Sequence, residues 1–287
     1  MITKKIAKYF REILTYISPE LNTKICYRIK FGKKLNLNDP KTLNEKILWL
    51  KLNKYMNDPI VKKCADKYRV REYVESLGCK EILNELIKVY DSPYEISWDE
   101  LPEMFAMKLN VGCGANLICS DKNKLNLNKV LYEVKKWFEE KFYAGYSEMQ
   151  YKGSKYKIIV EKYLGTKENL PEDYKFMCIN GKAEYVMICL NRGSTKKTKY
   201  CLYDREWNWH KFDTSCVTDP GLKKPKLVNK AFEYADKLSS KFPFVRTDLY
   251  IVDDKIYFGE LTFTPCGGMD NSILPEVDKM LGEKIKL

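Results

Sequence analysis

The sequence predicts an α+β fold built on antiparallel hairpins and preceded by a helical, basic N-terminal region. Three observations predict it. Helix-start signals recur through the first third. Two hairpin signals fall in the second half. Strands and helices do not alternate as a βαβ chain requires. The chain has 287 residues, is 45% hydrophobic and 13% aromatic, and so can bury a sizeable core.

The first segment, "MITKKIAKYFREILTYIS", places Ile2, Ile6, Phe10, Ile13 and Ile17 at helical spacing, with Lys4, Lys5, Lys8 and Arg11 between them. Residues 1–63 hold 15 Lys/Arg against 5 Asp/Glu, so most of the net charge of +12 lies there. Two readings follow. The helix packs its apolar stripe on its own domain and leaves a solvated basic face. Alternatively, it meets an anionic membrane surface or an acidic polymer.

Next, "SPEL" is an N-cap followed by Pro at the first helical position. "TLNE", Thr42 to Glu45, is a capping box that opens a helix to about Leu52. "DPIVKKCADKYRVREYVESLG" starts on Asp58-Pro59 and ends on Gly78, and reads as one helix of about five turns. From about residue 81 the pattern changes. "EILNELIKVY", "FAMKLN" and "YKIIVEKYL" read as strands, and "NKVLYEVKKWFEEKF" as a helix. "YKFMCINGKAEYVMICL" is a hairpin around Asn180-Gly181. "KPKLVNKAFEYADKLSSKF" is a helix. "VRTDLYIVDDKIYFGELTF" is a second hairpin turning at Asp253-Asp254. The expected division is 1–63 as the basic helical region and 64–265 as the core. The core's lobes fall at about 100–180 and 181–265, and a C-terminal loop and helix occupy 266–287.

Composition excludes several functions. The ten cysteines are scattered with no CxxC, and the chain has one His, so zinc sites and His-based triads are disfavoured. Free, mostly buried thiols fit a reducing cytosol. No apolar run is long enough to span a bilayer, and no signal peptide is visible. No helix-turn-helix, zinc finger or RNP-type aromatic motif suggests nucleic acid as a partner. A cytoplasmic protein is expected, with peripheral contact at an anionic membrane as one reading of its N-terminus.

The chemical candidates follow chain order. Lys67 and Arg71 lie four apart on the long helix, where they can grip an anion or form a solvated surface. In "MKLNVGCGAN", Lys108 ends a strand and Asn110, Gly112 and Gly114 follow in a turn. Such a turn brings backbone N–H groups to a phosphate, or is a plain tight turn. It is neither a Walker loop nor a dinucleotide fingerprint. In the second hairpin, Phe258, Leu261 and Phe263 read as the apolar face, with Glu260 and Thr262 on the other. Arg246 and Asp248 share one face of the partner strand, so the four polar groups converge. Paired carboxylates repel unless a cation joins them, and Mg²⁺ is held by one or two carboxylates plus substrate phosphates. A structural Arg–Asp–Glu cluster is the alternative. His210, in "EWNWHKF", reads as structural or substrate-side.

Six segments in this order resemble the TupA-like family of the ATP-grasp superfamily, which is found near cell-surface polysaccharide genes. They are "DPKTLNEKILWLKL", "ADKYRVREYV", "LPEMFAMKLNVGCG", "IIVEKYL", "DYKFMCINGK" and "VRTDLYIVDDKIYFGELTFTP", from about Asp39 to Pro265. The resemblance implies an ATP-grasp fold whose two α+β lobes hold ATP and Mg²⁺. Lys108 matches a strand lysine on phosphate, and Arg71, beside Lys67, an earlier basic contact. Asn110, Gly112 and Gly114 belong to the same nucleotide-binding set. Glu161, Lys162, Tyr163 and Leu164 match the hinge beside adenine. Lys175 matches a further phosphate or adenine-side contact. Arg246 matches a phosphate arginine, and Asp248 and Glu260 the Mg²⁺ carboxylates. Thr262 stands where Asn is usual in the superfamily, which puts a second Mg²⁺ in doubt. "TPCGGMD" resembles the glycine-bearing loop of D-alanine–D-alanine ligases.

The implied activity is ATP-dependent carboxylate–amine ligation. It joins an amino acid or amine to an acidic sugar of a polysaccharide or its precursor. A kinase acting on a sugar hydroxyl and a non-catalytic binder of anionic glycan are the alternatives. Acyl-phosphate chemistry needs positioning and charge stabilisation rather than a His or Ser nucleophile, which suits this composition.

Overall fold

The computed structural model describes residues 2–166, 170–190 and 197–287, and the side chains of Ile2, Thr3 and Lys4 lie outside the described part. Helices come first: α1 (Ile2–Ile17), α2 (Pro19–Phe31), α3 (Leu43–Leu50), a π-type turn (Lys51–Tyr55), α4 (Pro59–Cys64) and α5 (Val70–Ser76). The start signals hold. The Ser18 hydroxyl accepts from the Leu21 N–H, and Thr42 and Glu45 form a reciprocal capping box. Asp58 caps α4 through the Ile60 and Val61 N–H groups.

The single helix expected over 58–78 is instead two short helices. The break falls at Asp66, whose carboxylate accepts from the N–H groups of Tyr68 and Arg69. Asn110, far along the chain, donates to the same carboxylate at 2.7 Å, and the Lys67 N–H donates to the Asn110 carbonyl. A buried tertiary partner therefore overrides a locally favourable helix.

Two antiparallel sheets follow. The first contains β1 (Leu86–Tyr90), β2 (Phe105–Leu109), β3 (Asn116–Cys119) and, after α6 (Leu127–Glu139), β4 (Ile158–Lys162), in the order β1-β4-β2-β3. The second contains β5 (Asp173–Ile179), β6 (Lys182–Leu190), β7 (Lys199–Asp204), β8 (Trp209–His210) and, after α7 (Val228–Ser239), β9 (Phe244–Val252) and β10 (Lys255–Thr262). Its order is β10-β9-β5-β6-β7-β8, and α8 (Pro275–Lys284) closes the described chain. Both hairpins turn where expected, with positive φ at Asn180 and Gly181 and at Asp253 and Asp254. β3, β7 and β8 were not apparent in the sequence. "EILNELIKVY" is a strand only from Leu86; its start is a 3₁₀ turn at Lys80–Ile82.

The boundary between lobes also differs from expectation. β5 pairs with β9 and β6 in the second sheet, so the sheets divide within 163–172 and not at 180. The larger core lies under the second sheet, where Phe176, Phe232, Phe244 and Phe263 are buried between α7 and the N-terminal helices. A smaller core packs α6 on the first sheet through Phe105, Met107, Val134 and Val160.

The end of β10 holds a second departure. Strict alternation would place Phe258 on the same face as Glu260. Pairing instead runs Phe258 with Leu249 and then Glu260 with Asp248, so a bulge at Gly259 restores each side chain to its face. A Cβ on Gly259 would stand 2.9 Å from the Asp248 carbonyl oxygen, so only glycine fits unstrained.

The N-terminal region is packed, but by the face opposite to the apolar stripe. Leu14 is buried, and Thr15 donates to the Ala144 carbonyl at 2.6 Å. Lys8 pairs with Glu140, and the Arg11 guanidinium lies over the Tyr146 ring. Ile6, Tyr9, Phe10, Ile13, Tyr16 and Ile17 are 52–70% exposed. Ile2 and Lys4, read with this helix from the sequence, have side chains outside the described residues. No described helix is long and apolar enough to cross a membrane.

The bulge yields a direct test. Gly259→Ala should lower stability by about 1–3 kcal/mol, the usual cost of forcing a methyl into a closed space. Urea unfolding measures it, and an unchanged midpoint would mean that the bulge tolerates a Cβ.

Candidate active site

The two sheets and the α4–α5 junction enclose a cavity of about 350 Å³. The first sheet contributes Ala106, Lys108, Ile118 and Glu161; the second contributes Asp173, Lys175, Arg246, Asp248, Tyr250, Phe258 and Glu260. Lys162, the last residue of β4, also lines it, and Lys67, Gly112, Gly114, Tyr163 and Leu164 line it from junctions and loops.

Its floor is a rung across three strands. Lys175 on β5 pairs in register with Asp248 on β9, which pairs with Glu260 on β10. Arg246 grips Asp248 with two parallel bonds, Nε to Oδ1 and Nη2 to Oδ2, both at 2.7 Å. Lys175 Nζ lies 2.6 Å from Asp248 Oδ2 and 2.7 Å from Asp173 Oδ2. Glu260 faces Lys67 Nζ at 3.5 Å and Arg246 Nη2 at 3.6 Å. Lys67 also donates to the Gly112 carbonyl at 2.7 Å, so it joins the turn of the first sheet to the carboxylate of the second.

Local electrostatics keep these groups charged. Burial works against the charge on Glu260, but Lys67, then Arg246 and Lys175, outweigh it and hold its carboxyl at about 2. Burial also opposes the Lys108 ammonium, yet Glu161, 2.9 Å away, raises its pKa overall. Lys175 follows the same pattern, with Asp248 the leading opponent of burial.

The turn after Lys108 closes the β2–β3 hairpin, with the Leu109 N–H donating to the Ala115 carbonyl. Gly112 has φ +76, and a Cβ there would overlap the Phe142 ring. Asn110 does not face the cavity. It is fully buried, donates to Asp66 and the Lys155 carbonyl, and accepts from the Lys157 N–H. Its chemistry serves the turn and the α4–α5 break. Arg71 also stands behind the lining, bonded to the Asn84 carbonyl at 3.0 Å and 3.5 Å from Glu161. Glu161 therefore presents Lys108, and Arg71 steadies Glu161. Thr262 is likewise outside the lining. Its hydroxyl accepts from Arg246 and donates to Glu260 Oε1, so it orients the carboxylate.

His210 is not among the cavity-lining residues; its Nε2 lies 2.9 Å from Asp204 and its ring is edge-on to Tyr185. Loop residues Cys266, Gly267 and Gly268 all have positive φ. Buried Lys51 holds that loop by donating to the Gly267 and Tyr146 carbonyls. Burial lowers the Lys51 pKa to about 8 against the pull of Glu148.

Sequence reasoning missed Asp173, the second acid on Lys175, although the two share a face of β5 by simple alternation. It also missed the apolar lining of Ala106, Ile118, Leu170 and Pro171. Ile118 became visible only with β3.

The donor set fits one hard divalent cation. Only oxygens are offered, by adjacent Asp248 and Glu260. Among the described residues no group of three or more His, Cys, Asp or Glu forms a complete metal site. Such a cation therefore needs oxygens from a bound phosphate, as Mg²⁺ commonly does.

Two antiparallel sheets closing on a cation-rich cleft define the class, an ATP-grasp protein. Within that class the chain belongs to the TupA-like ATP-grasp family, whose profile matches residues 45–286. No curated protein matches the sequence. Among solved structures, it is similar to D-alanine–D-alanine ligase from Bacillus anthracis complexed with ATP, with 14% identity and a TM-score of 0.48. That alignment covers 77% of this chain and 63% of the ligase. It is also similar to the biotin carboxylase domain of the Hydrogenobacter thermophilus 2-oxoglutarate carboxylase, with 14% identity and a TM-score of 0.48. Here 78% of this chain and 46% of the other are covered. The chain spans less than two thirds of either protein.

Glu260 carries a pH prediction. Its carboxyl is held at about 2 in the fold against 4.5 ordinarily, so its contribution to stability is complete above 4.5. That contribution disappears as pH falls from 4.5 towards about 2. Urea midpoints of Glu260→Gln should therefore fall less steeply than those of the wild type across this window. Parallel slopes would show that Glu260 is not held ionised by its neighbours.

Proposed function

We propose that the protein is an ATP- and Mg²⁺-dependent carboxylate–amine ligase. In this reading it joins an amino acid or amine to an acidic sugar of a cell-surface polysaccharide or its precursor. The observation that carries the reading is the rung of Lys175, Asp248 and Glu260, crossed by Arg246 and Lys67. It supplies phosphate-binding cations and metal-binding carboxylates on one floor. Family membership supports ATP chemistry, and the resemblance to a polysaccharide-associated family motivates the acceptor.

Asp248 and Glu260 would hold Mg²⁺. The bound ion supplies charge neutralisation to the phosphates during transfer. Lys67, Lys175 and Arg246, which now neutralise those carboxylates, turn to phosphate oxygens. Lys108, presented by Glu161, adds a further point charge. The apolar lining and the Glu161–Leu164 segment take the base. With the nucleotide so held, a substrate carboxylate attacks the γ-phosphorus and ADP leaves. The amine then displaces phosphate from the acyl phosphate, giving an amide and inorganic phosphate. The protein's contribution is position and charge.

The test is incubation with ATP, Mg²⁺ and a panel of amino acids and uronic acids. ADP and free phosphate should appear only when an acid and an amine are both present, and hydroxylamine should trap the activated acid as a hydroxamate. Phosphate retained on a sugar hydroxyl would favour a kinase instead. Asp248→Asn and Glu260→Gln should each abolish turnover, a loss of several kcal/mol of transition-state stabilisation, while the fold persists. Near-normal turnover in either variant would sink the metal assignment.

A further inference from the structure

Helix α1 has its faces reversed relative to an ordinary surface helix. Its polar side is docked. Lys8 meets Glu140, Arg11 covers the Tyr146 ring at 5.0 Å, Thr15 bonds Ala144 and Ser147, and Asn22 of α2 donates to Thr15 and Ser147. Its apolar side is open. Ile6, Phe10, Ile13 and Ile17 follow one another at helical spacing, with Tyr9 and Tyr16 along the same exposed arc. Leu21 and Ile29 of α2 are exposed as well.

The border of this stripe is cationic. Lys5 is exposed beside it, and Lys141 Nζ lies 5.5 Å from the Tyr16 ring centroid. Lys24, Arg28, Lys30, Lys33 and Lys34 are exposed on and just after α2. The acids are few and engaged: Glu12 lies 4.0 Å from Lys8, and Glu20 pairs with Lys24. An exposed apolar arc with aromatic residues and a basic rim is complementary to an anionic bilayer. The stripe also lies outside residues 45–286, so the family match does not account for it.

We propose that α1 is an interfacial anchor that lays Ile6, Phe10, Ile13 and Ile17 into an anionic lipid surface, with Lys5 and Lys141 on the headgroups. The segment that receives α1 also reaches the cleft. Phe142 fills the space over Gly112, and Tyr146 lies against Gly267. Anchoring therefore holds the active-site cleft close to the membrane face. The proposal is independent of which reaction the cleft performs.

The experiment uses the full chain with vesicles of phosphatidylcholine, with and without phosphatidylglycerol. Wild type should float with the anionic vesicles, and binding should weaken as ionic strength rises. The double variant Phe10→Glu, Ile13→Glu should bind about tenfold more weakly or worse, because it removes two apolar anchors. Its ATP affinity should match wild type within about twofold, since neither residue lines the cavity. A second variant, Phe10→Trp, adds a fluorophore to the stripe. Its emission in excess of wild type should shift to the blue on adding anionic vesicles. Absence of wild-type binding, equal binding by the double variant, or no such shift for Phe10→Trp would each overturn the proposal. So would a wild-type dimer that Phe10→Glu, Ile13→Glu dissociates without any vesicle binding, because a second copy would then cover the stripe.

Discussion

Two carboxylates on neighbouring strands, Asp248 and Glu260, face one another across a register pair, and much of the site follows from their mutual repulsion. In the folded chain the repulsion is relieved by Arg246, Lys175 and Lys67. These cations are the groups that a triphosphate would attract. In the proposed function the same site would be balanced between these internal ion pairs and a bound nucleotide with its metal. Burying these charges costs desolvation, which at Glu260 the neighbouring cations outweigh. Their value here is that they are already desolvated and aimed.

Supporting residues work through the lining. Arg71 and Asn84 hold Glu161 and its strand, and Glu161 presents Lys108. Asp66 and Asn110 break the helix so that Lys67 leaves its axis and reaches both Gly112 and Glu260. Had residues 58–78 formed one continuous helix, Lys67 and Arg71 would have shared a face and a task. The break gives them different tasks: Lys67 reaches the cavity, and Arg71 supports it from behind.

What the sequence disclosed is mostly local. Asn180-Gly181, Asp253-Asp254, Ser18-Pro19 and the Thr42–Glu45 box each act over a few residues, and each appears where expected. The convergence of Arg246, Asp248 and Glu260 was also legible, because one hairpin contains all three. Features decided at a distance were not. The Asp66 break depends on Asn110, whose own pattern gives no sign of burial. The bulge at Gly259 was hidden because Phe258, Leu261 and Phe263 look periodic until their spacing is counted. The docked face of α1 stayed open because amphipathicity marks two sides without saying which one docks. Arg11 on Tyr146 and Thr15 on Ala144 decide that.

In the proposed function, Asp248 and Glu260 change partners, from protein cations to a metal, when nucleotide binds. Calorimetric titration of ADP with and without Mg²⁺ measures this exchange directly. In the wild type, Mg²⁺ should tighten ADP binding by about tenfold or more, the scale of a site that shares its metal with phosphate oxygens. In Asp248→Asn and Glu260→Gln that gain should shrink towards none, while ADP alone binds at least as well because cations have been freed. An equal gain from Mg²⁺ in wild type and both variants would contradict the account.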